Sequence, residues 1–456
     1  MNRRSSVHML AAVMAAVLGL GGCMAVDGKK EDNGKPVVVV LWHSYNAVAK
    51  GAFDDLVMEF NETVGMEQGI IVEPVGYGSS NELDDVLYAS ASRVIGSDPL
   101  PDIFSSYPDS AYRLDGIVPL VHLDDYFTEE ELDAYRSEFL KEGVWEGDGI
   151  HRMIPVAKST ELLLMNQTRL DEFLDANPQY REENMESWEG LERMAEGYFQ
   201  WTDSMTPGTD GDGSPFIGVD NLANYFVAMN HAMGSDIYHY DESGTMVPDL
   251  DEGIIEKLFL NYYEPFTKGY YGAKGRYRSD DVKQSYLAGC IGSSSSVLYF
   301  PEEVADSQGN MVPVTTGVYQ YPVMEGTTPT AIQQGAGVAV FNRSDEENRA
   351  ALDFIRWLTI DKGFELAASM SYMPVDHNGM TEEQKQQIDD ARVLKGIETG
   401  LKQSNSYQMV YGFDFENSYD VRTGVDACFG EALSQGRMEF EEYLARGMSM
   451  DEAAAS

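Results

Sequence analysis

Val37 to Leu41 is four valines and a leucine in a row. An apolar run with no polar alternation reads as a strand covered on both faces, and such strands belong to parallel sheets flanked by helices. The next segments keep to that plan. Phe53, Leu56, Val57 and Phe60 recur at helical spacing. Gly69 to Pro74, GIIVEP, has a β-branched centre and reads as a second strand. Leu83, Val86, Leu87, Ala91 and Val94 form the apolar face of a second helix, and Asp102-Ile103-Phe104 is a third short strand. This alternation of strand and helix, within roughly 70 residues, predicts an α/β lobe with a largely parallel sheet.

The middle of the chain changes character. Arg169 to Trp201 is mostly helical in pattern, with turns near Asn177-Pro178 and Ser187-Trp188. Asn221 to Met233 and Asp251 to Tyr263 read as helices again. Val312 to Val323 and Ala336 to Phe341 return to strand composition. Ala350 to Ala368 is an amphipathic helix with Leu352, Phe354, Ile355, Trp357 and Leu358, and the chain from Thr423 onward is helical. A strand-rich stretch after a helix-rich middle suggests that the chain builds one lobe, builds a second and revisits the first. The expected first lobe is 37–155 with 312–345. The expected second, helix-rich lobe is 156–311 with 346–456. Several crossovers between them make a hinge, and clefts at such interfaces favour small ligands.

The first residues carry an address. Arg3 and Arg4 precede an unbroken apolar run from Met9 to Leu20, too short to span a bilayer as a mature helix. Leu20-Gly21-Gly22-Cys23 then resembles the bacterial lipobox, in which cleavage precedes the cysteine and its thiol takes a diacylglycerol. Residues 1–22 are therefore expected to be a lipoprotein signal peptide and Cys23 the lipidated terminus. Residues 23–36, polar and Gly-bearing from Val26, read as a tether. The expected location is extracytoplasmic, lipid-anchored to the bacterial cell membrane. Cys290 and Cys428 remain, either paired or as two isolated thiols.

Charge removes one class of partner. Seventy-six acidic residues against 32 basic ones give a formal charge of −44, a field that repels nucleic acid. Familiar enzyme signatures are missing: no GxSxG elbow, no HExxH, no Walker loop, no GxGxxG after a strand. His43, His122, His151, His231, His239 and His377 share no metal-ligand spacing. Adjacent carboxylates such as Asp124-Asp125 carry no weight in so acidic a chain. No catalytic residue, metal or cofactor is expected.

What stands out is polar and aromatic residues at strand ends. Trp42, Ser44 and Tyr45 follow the first strand; Ser80 and Asn81 lie beyond the second; Tyr107 and Asp109 lie beyond the third. Ligands of parallel α/β sheets meet the loops past the carboxyl ends of the strands. Aromatic faces suit the C–H faces of sugars, and hydroxyls and carboxylates suit sugar hydroxyls. Ser80 and Ser106 also fit helix N-caps and Trp42 fits a core, but three such loops in register favour a binding edge.

These residues lie in a longer resemblance. VVVVLWHSY, Phe60-Asn61, GIIVEPVGYG, Pro101-Asp102-Ile103-Phe104, GIVPL with LDDY from Leu123, Ile154-Pro155, Leu162 to Asn166, Ser187-Trp188-Glu189-Gly190-Leu191, Phe354 to Thr359 and Tyr372-Met373-Pro374-Val375 stand in order along the chain. Together they resemble the family 1 extracellular solute-binding proteins of bacterial ABC importers. The resemblance implies an α/β, two-lobe, periplasmic-binding-protein-like fold with a ligand cleft between lobes. It implies capture of a sugar or polyol phosphate by a monomer and delivery to ABC permease subunits, without chemistry. The glycerol-3-phosphate-binding branch looks nearest. Its contacts would fall at Ser80 or Asn81, Ser159, Ser294 or Ser295, Gly335, Tyr372 and Arg422. A guanidinium such as that of Arg422 suits bidentate phosphate binding, and Tyr372, in a turn after a long helix, is expected to project from the second lobe. The chain departs from the branch at Ser79-Ser80-Asn81-Glu82 and at Pro108, and a neutral oligosaccharide fits the aromatics and the acidic balance equally. A surface polysaccharide hydrolase and a non-transport surface sensor or adhesin are the competing readings.

Overall fold

Both faces of the opening strand are covered from Val39 onward, as an apolar run requires, while Val38 near its start is 46% exposed. The computed structural model describes residues 35–454, apart from 46, 146–147, 207, 209–210, 242–245, 307–308 and 412–417. Cys23, the signal segment and the tether up to residue 34 lie outside the described residues. Val37–Ser456 is one compact unit containing two main sheets.

In the first sheet, Val37–His43 lies between Ile70–Gly76 and Ile103–Ser106, parallel to both. Gly337–Val340 is added antiparallel to Ile103–Ser106, and Met153–Pro155 antiparallel to Gly337–Val340. Val39 and Leu41 pack beneath Phe53, Val57 and Phe60 of helix Ala47–Glu62. Val40 and Trp42 face the other way, toward Leu83, Leu87 and Ala91 of helix Ser80–Ala91. The edge strand is finished by Asn61: its side chain donates to the Val72 carbonyl at 2.9 Å and accepts from the Val72 N–H at 2.8 Å. It thus satisfies backbone groups that an edge would leave open. Val94, expected on the second helix, lies beyond its end and is exposed.

The second sheet is built around Ser159–Asn166, buried along its whole length. Gly289–Ser293 runs antiparallel on one side, followed by Ile217–Val219 parallel to it. On the other side, Thr316–Tyr319 pairs with the end of the central strand, and Thr330–Gln334 with its start. Trp188, Tyr225 and Tyr262 fill the core of this lobe, with Trp188 edge-on to Tyr225 at 4.9 Å. Each such buried ring contributes on the order of 2–3 kcal/mol of apolar burial. Helix Trp188–Asp203 starts at the expected turn, where the Ser187 hydroxyl accepts from Gly190 N.

The division of the chain between lobes differs from expectation in two places. Within 312–345, only Gly337–Val340 returns to the first sheet, because Thr316–Tyr319 and Thr330–Gln334 hydrogen-bond to the second. Conversely, the start of 346–456 belongs to the first lobe. Leu352, Phe354, Ile355, Trp357 and Leu358 pack with Val39 and Phe60, the Phe60 ring meeting Phe354 edge-on at 5.0 Å. That stretch is also not one helix: Asp345–Arg356, capped by Ser344 with Glu347, passes through a π-helical turn at Trp357–Asp361 into Gly363–Ser369. The long final helix Ser418–Ala445 packs Phe429 and Leu433 into the second core. Cys290 is buried and Cys428 exposed, both as free thiols.

Candidate functional site

The register fixes which sheet edges face each other. His43 pairs with Gly76, and Ser106 with Gly337, which also pairs with Pro155. The parallel strands of the first sheet therefore end on the edge from which the chain crosses over. In the second sheet, Gln334 pairs with Ser159 and Glu161 with Ser293, so this edge receives the crossovers. The links are short: residues 156–158 and 335–336. Two sheet edges joined by such short links bound a cleft.

The crossovers are locked to each other. Lys158 is 1% exposed; its ammonium donates to the Gly335 carbonyl and forms an ion pair with Glu142. Gln333 Nε2 adds a hydrogen bond to Glu142 Oε2 at 2.7 Å. Gly335 has φ +93°, and a Cβ there would lie 2.5 Å from the Ala157 carbonyl oxygen, so only glycine fits without strain. The expected contact at Gly335 is thus a hinge position whose carbonyl is already taken.

On the first edge, Trp42 is 4% exposed and packs against Leu83, Leu87 and Phe104, its ring 5.3 Å from that of Tyr77. It is a core residue, contrary to its expected place in the cleft, because strand alternation sends it into the sheet face. Half-buried Tyr77 lies at the edge instead. His43 accepts from Tyr45 N at Nδ1, 3.1 Å, so its proton sits on Nε2. Burial lowers its pKa to about 4, helped by the charge of Lys50. Ser44 and Tyr45 are half-buried. Burial raises the Tyr45 and Tyr107 hydroxyls well above the usual phenol range, and the neighbouring Tyr372 adds to both shifts. The Tyr372 hydroxyl is therefore a neighbour of both the Tyr45 and the Tyr107 hydroxyls. Tyr372 packs against the first lobe's core, not the second as expected, because helix Gly363–Ser369 lies on the first sheet.

Ser79, not Ser80, caps helix Ser80–Ala91, accepting from Glu82 N at 3.1 Å. Ser80 and Asn81 occupy the first turn, half-buried and exposed respectively. One turn on, Asp84 is buried with Oδ2 unpartnered, and burial pushes it up to about 7, with the Asp109 charge adding to the effect. Asp109 is buried; Oδ1 accepts from Ser110 N at 2.9 Å and Oδ2 pairs with Arg422 Nη2 at 3.4 Å. The Arg422 guanidinium also stands 5.8 Å from the Tyr107 ring centre.

On the second edge, Ser295 Oγ and Ser293 Oγ lie 3.1 Å apart, and Ser293 Oγ and Ser159 Oγ 3.2 Å, a short hydroxyl series. Ser294 is buried and donates to the Ser371 carbonyl at 2.7 Å. It ties the lobes' chains together instead of facing a ligand. Glu161 was not expected here. It is 1% exposed, accepts at Oε1 from Asn224 at 2.9 Å and Gln334 at 3.5 Å, and leaves Oε2 unpartnered. Burial pushes its carboxyl up to about 8. A signal existed: Lys158 and Glu161 are the two charges in AKSTELLLMN, a run otherwise fit for a buried strand.

Each cation named at these edges has a carboxylate partner. Arg422 has Asp109, Lys158 has Glu142 and Lys50 has Asp54, and Arg278, whose backbone N–H donates to Asp220 just past strand Ile217–Val219, has Asp281 at 3.3 Å and Asp220 at 4.0 Å. A separate groove of about 660 Å³ lies on the second lobe, between the Glu182–Glu186 turn, strand Thr316–Tyr319 and helix Ala391–Ser406; it contains none of the expected site residues. Among the described residues, no group of three or more His, Cys, Asp or Glu could hold a metal, and no helix is long and apolar enough to cross a membrane.

Comparison with known proteins agrees with this architecture. The sequence model of the bacterial extracellular solute-binding protein family matches residues 55–387. No curated protein sequence matches the chain. Solved structures do. The cyclic α-maltosyl-1,6-maltose binding protein from Arthrobacter globiformis is 17% identical, with a TM-score of 0.67 over 92% of this chain and 96% of that one. The GacH receptor of Streptomyces glaucescens, solved unliganded and with acarbose, is 14% identical, with a TM-score of 0.65 over 92% and 96%. UgpB from Mycobacterium tuberculosis, solved with glycerophosphocholine, is 18% identical, with a TM-score of 0.65 over 91% and 100%. At these identities the likeness is one of fold.

Proposed function

Because the chain belongs to the bacterial extracellular solute-binding protein family, we propose that it is the lipid-anchored receptor of an ABC importer, capturing a neutral carbohydrate and handing it to permease subunits. The family is extracytoplasmic and binds solutes without catalysis, so the hydrolase reading is not carried forward. The observation that carries the carbohydrate is the make-up of the two facing edges. One offers the half-buried Tyr45, Tyr107 and Tyr372; the other offers the half-buried Ser293, Ser295 and Gln334, backed by the buried Ser159 and Glu161. Rings stack on sugar C–H faces, and hydroxyls and carboxyls match sugar hydroxyls. A structural neighbour that is a cyclic α-maltosyl-1,6-maltose binding protein and another solved with acarbose support this class. UgpB, with glycerophosphocholine, keeps a phosphodiester in view as the competitor. Cys23 supplies the anchor in this reading, and the protein acts as a monomer.

A thermal-shift screen tests it, because a ligand that binds only the native state raises the unfolding temperature by mass action. Linear and cyclic gluco-oligosaccharides are expected to raise it, and X-ray scattering on the best of them should show a smaller radius of gyration from lobe closure. No response to any neutral sugar would overturn the carbohydrate reading. Co-purification of a permease with the wild-type chain separates importer from sensor or adhesin.

A further inference from the structure

We propose that Asp109 sets the charge selectivity of the cleft by acting as a built-in counter-ion to Arg422, so that the site rejects anionic solutes. Arg422 belongs to helix Ser418–Ala445, whose Phe429 and Leu433 lie in the second lobe's core. Asp109 belongs to helix Pro108–Asp115, whose Ala111 and Leu114 lie in the first lobe's core. The 3.4 Å contact between Nη2 and Oδ2 therefore spans the two lobes. Asp109 is held in place: its other oxygen accepts from Ser110 N, and Pro108 opens the helix at its first turn. Asp84 lies behind it, buried, with one oxygen unpartnered.

A phosphate entering here meets more than a free guanidinium. It must displace a buried carboxylate from Arg422 and then sit beside that carboxylate, with a second carboxyl group behind. The other cations named at the two edges are likewise engaged by carboxylates: Lys158 by Glu142, Arg278 by Asp281, and Lys50, beside His43, by Asp54. A neutral hydroxyl pays no such penalty: it can donate to Asp109 and accept from Arg422 without separating the charges. Selectivity of this kind comes from repulsion of the wrong ligand as much as from attraction of the right one.

The inference rests on the solute-binding reading only in placing the ligand between the lobes. Its test uses glycerol 3-phosphate, with glycerol as the neutral control, on the full chain. Thermal shift and calorimetry are run on wild type, D109N and the double variant D109N/R422A. Glycerol 3-phosphate should leave wild type unmoved, and D109N should bind it at least about tenfold more tightly, the scale of one charge-assisted hydrogen bond. D109N/R422A should lose that gain. If wild type binds glycerol 3-phosphate as well as D109N does, the proposal is overturned. It is overturned equally if folded D109N gains nothing, or if the double variant keeps the gain, since the anion then binds elsewhere. Should D109N not fold, Asp109→Ser removes the same charge with a smaller side chain. Failure of every neutral sugar in the screen would sink the carbohydrate reading and leave this phosphate contrast standing.

Discussion

Glu161→Gln should make the protein more stable at neutral pH, and increasingly so as the pH rises further. Glu161 is buried to 1% exposure, keeps one oxygen without a partner, and has its pKa raised by burial from 4.5 to about 8. In the unfolded chain its carboxyl ionises near the ordinary value. Between these two values the native state holds a proton that the unfolded state has released, so stability falls as pH rises. Each pH unit costs about 1.4 kcal/mol, so the group has lost roughly 3 kcal/mol by pH 7, reaching its limit of about 5 kcal/mol near pH 8. Glutamine keeps the shape and the acceptor that Asn224 uses, but brings an amide whose buried N–H groups need partners. That omission costs about 1–3 kcal/mol at any pH. The balance for E161Q is therefore a small loss near pH 5, a gain of order 1 kcal/mol at pH 7, and a larger gain at pH 8. Urea unfolding of wild type and E161Q across pH 5 to 8 measures the difference directly. The reasoning fails if the gap between the two proteins does not widen with pH. Because Glu161 lies on the second edge beside Gln334 and Ser293, the stabilised variant should also bind the screened sugar more weakly.

Three further outcomes follow from contacts described above. Lys158→Met strands the buried Glu142 carboxylate and should destabilise by about 3–5 kcal/mol, with K158M/E142Q recovering much of that loss; equal stability of K158M and wild type in denaturant titration would contradict the ion pair's role at the hinge. Trp42→Phe should lower stability by about 1–3 kcal/mol while leaving sugar affinity nearly unchanged, since the ring lies in the core; a large affinity loss in calorimetry would return Trp42 to the cleft. Cys23→Ala should release the protein from membranes of its host, and fractionation that still finds the variant on the membrane rejects the lipid anchor.

Much of the first lobe was legible because its strands are covered on both faces. Val37 to Leu41 has to be a buried strand whatever surrounds it, and Leu83, Leu87 and Ala91 have to form one helix face. The lobe assignment beyond residue 312 was not legible, because short strands of similar composition carry no mark of their partner: Thr316–Tyr319 and Gly337–Val340 differ in which sheet they join, a matter of register. Helix Asp345–Arg356 is amphipathic in either lobe, and only packing against Phe60 decides. The site divides similarly. The rule of positions past strand ends selects Tyr45, Tyr107 and Asp109, and the sheet topology puts all three at the edge from which the chain crosses over. The same rule put Trp42 at the edge, although it still lies within the strand's alternation; Ser294, implied instead by the family resemblance, has its hydroxyl taken by the Ser371 carbonyl. Glu142 was missed because, in a chain with 76 acidic residues, one more carboxylate draws no notice; Lys158 and Glu161 were marked only by standing as the two charges in a run otherwise fit for burial.

The contacts between lobes also bound how closure is controlled. The Lys158 lock holds the two crossovers to each other, so it limits the hinge without favouring open or closed. The Asp109–Arg422 pair does favour closure, but Arg422 remains 26% exposed. A partly exposed ion pair is worth about 0–1 kcal/mol, a shift of roughly fivefold at most in the open-to-closed ratio. A micromolar ligand brings about 8 kcal/mol of binding free energy, of which only the part gained in the closed form acts on that ratio. The pair is therefore too weak to shut an empty cleft for good and strong enough to register the right solute. D109N should open the empty protein slightly, read as a larger radius of gyration without sugar, and leave the sugar-bound radius unchanged. An empty D109N as compact as wild type, or a sugar-bound D109N that stays open, would show that closure is governed by other contacts.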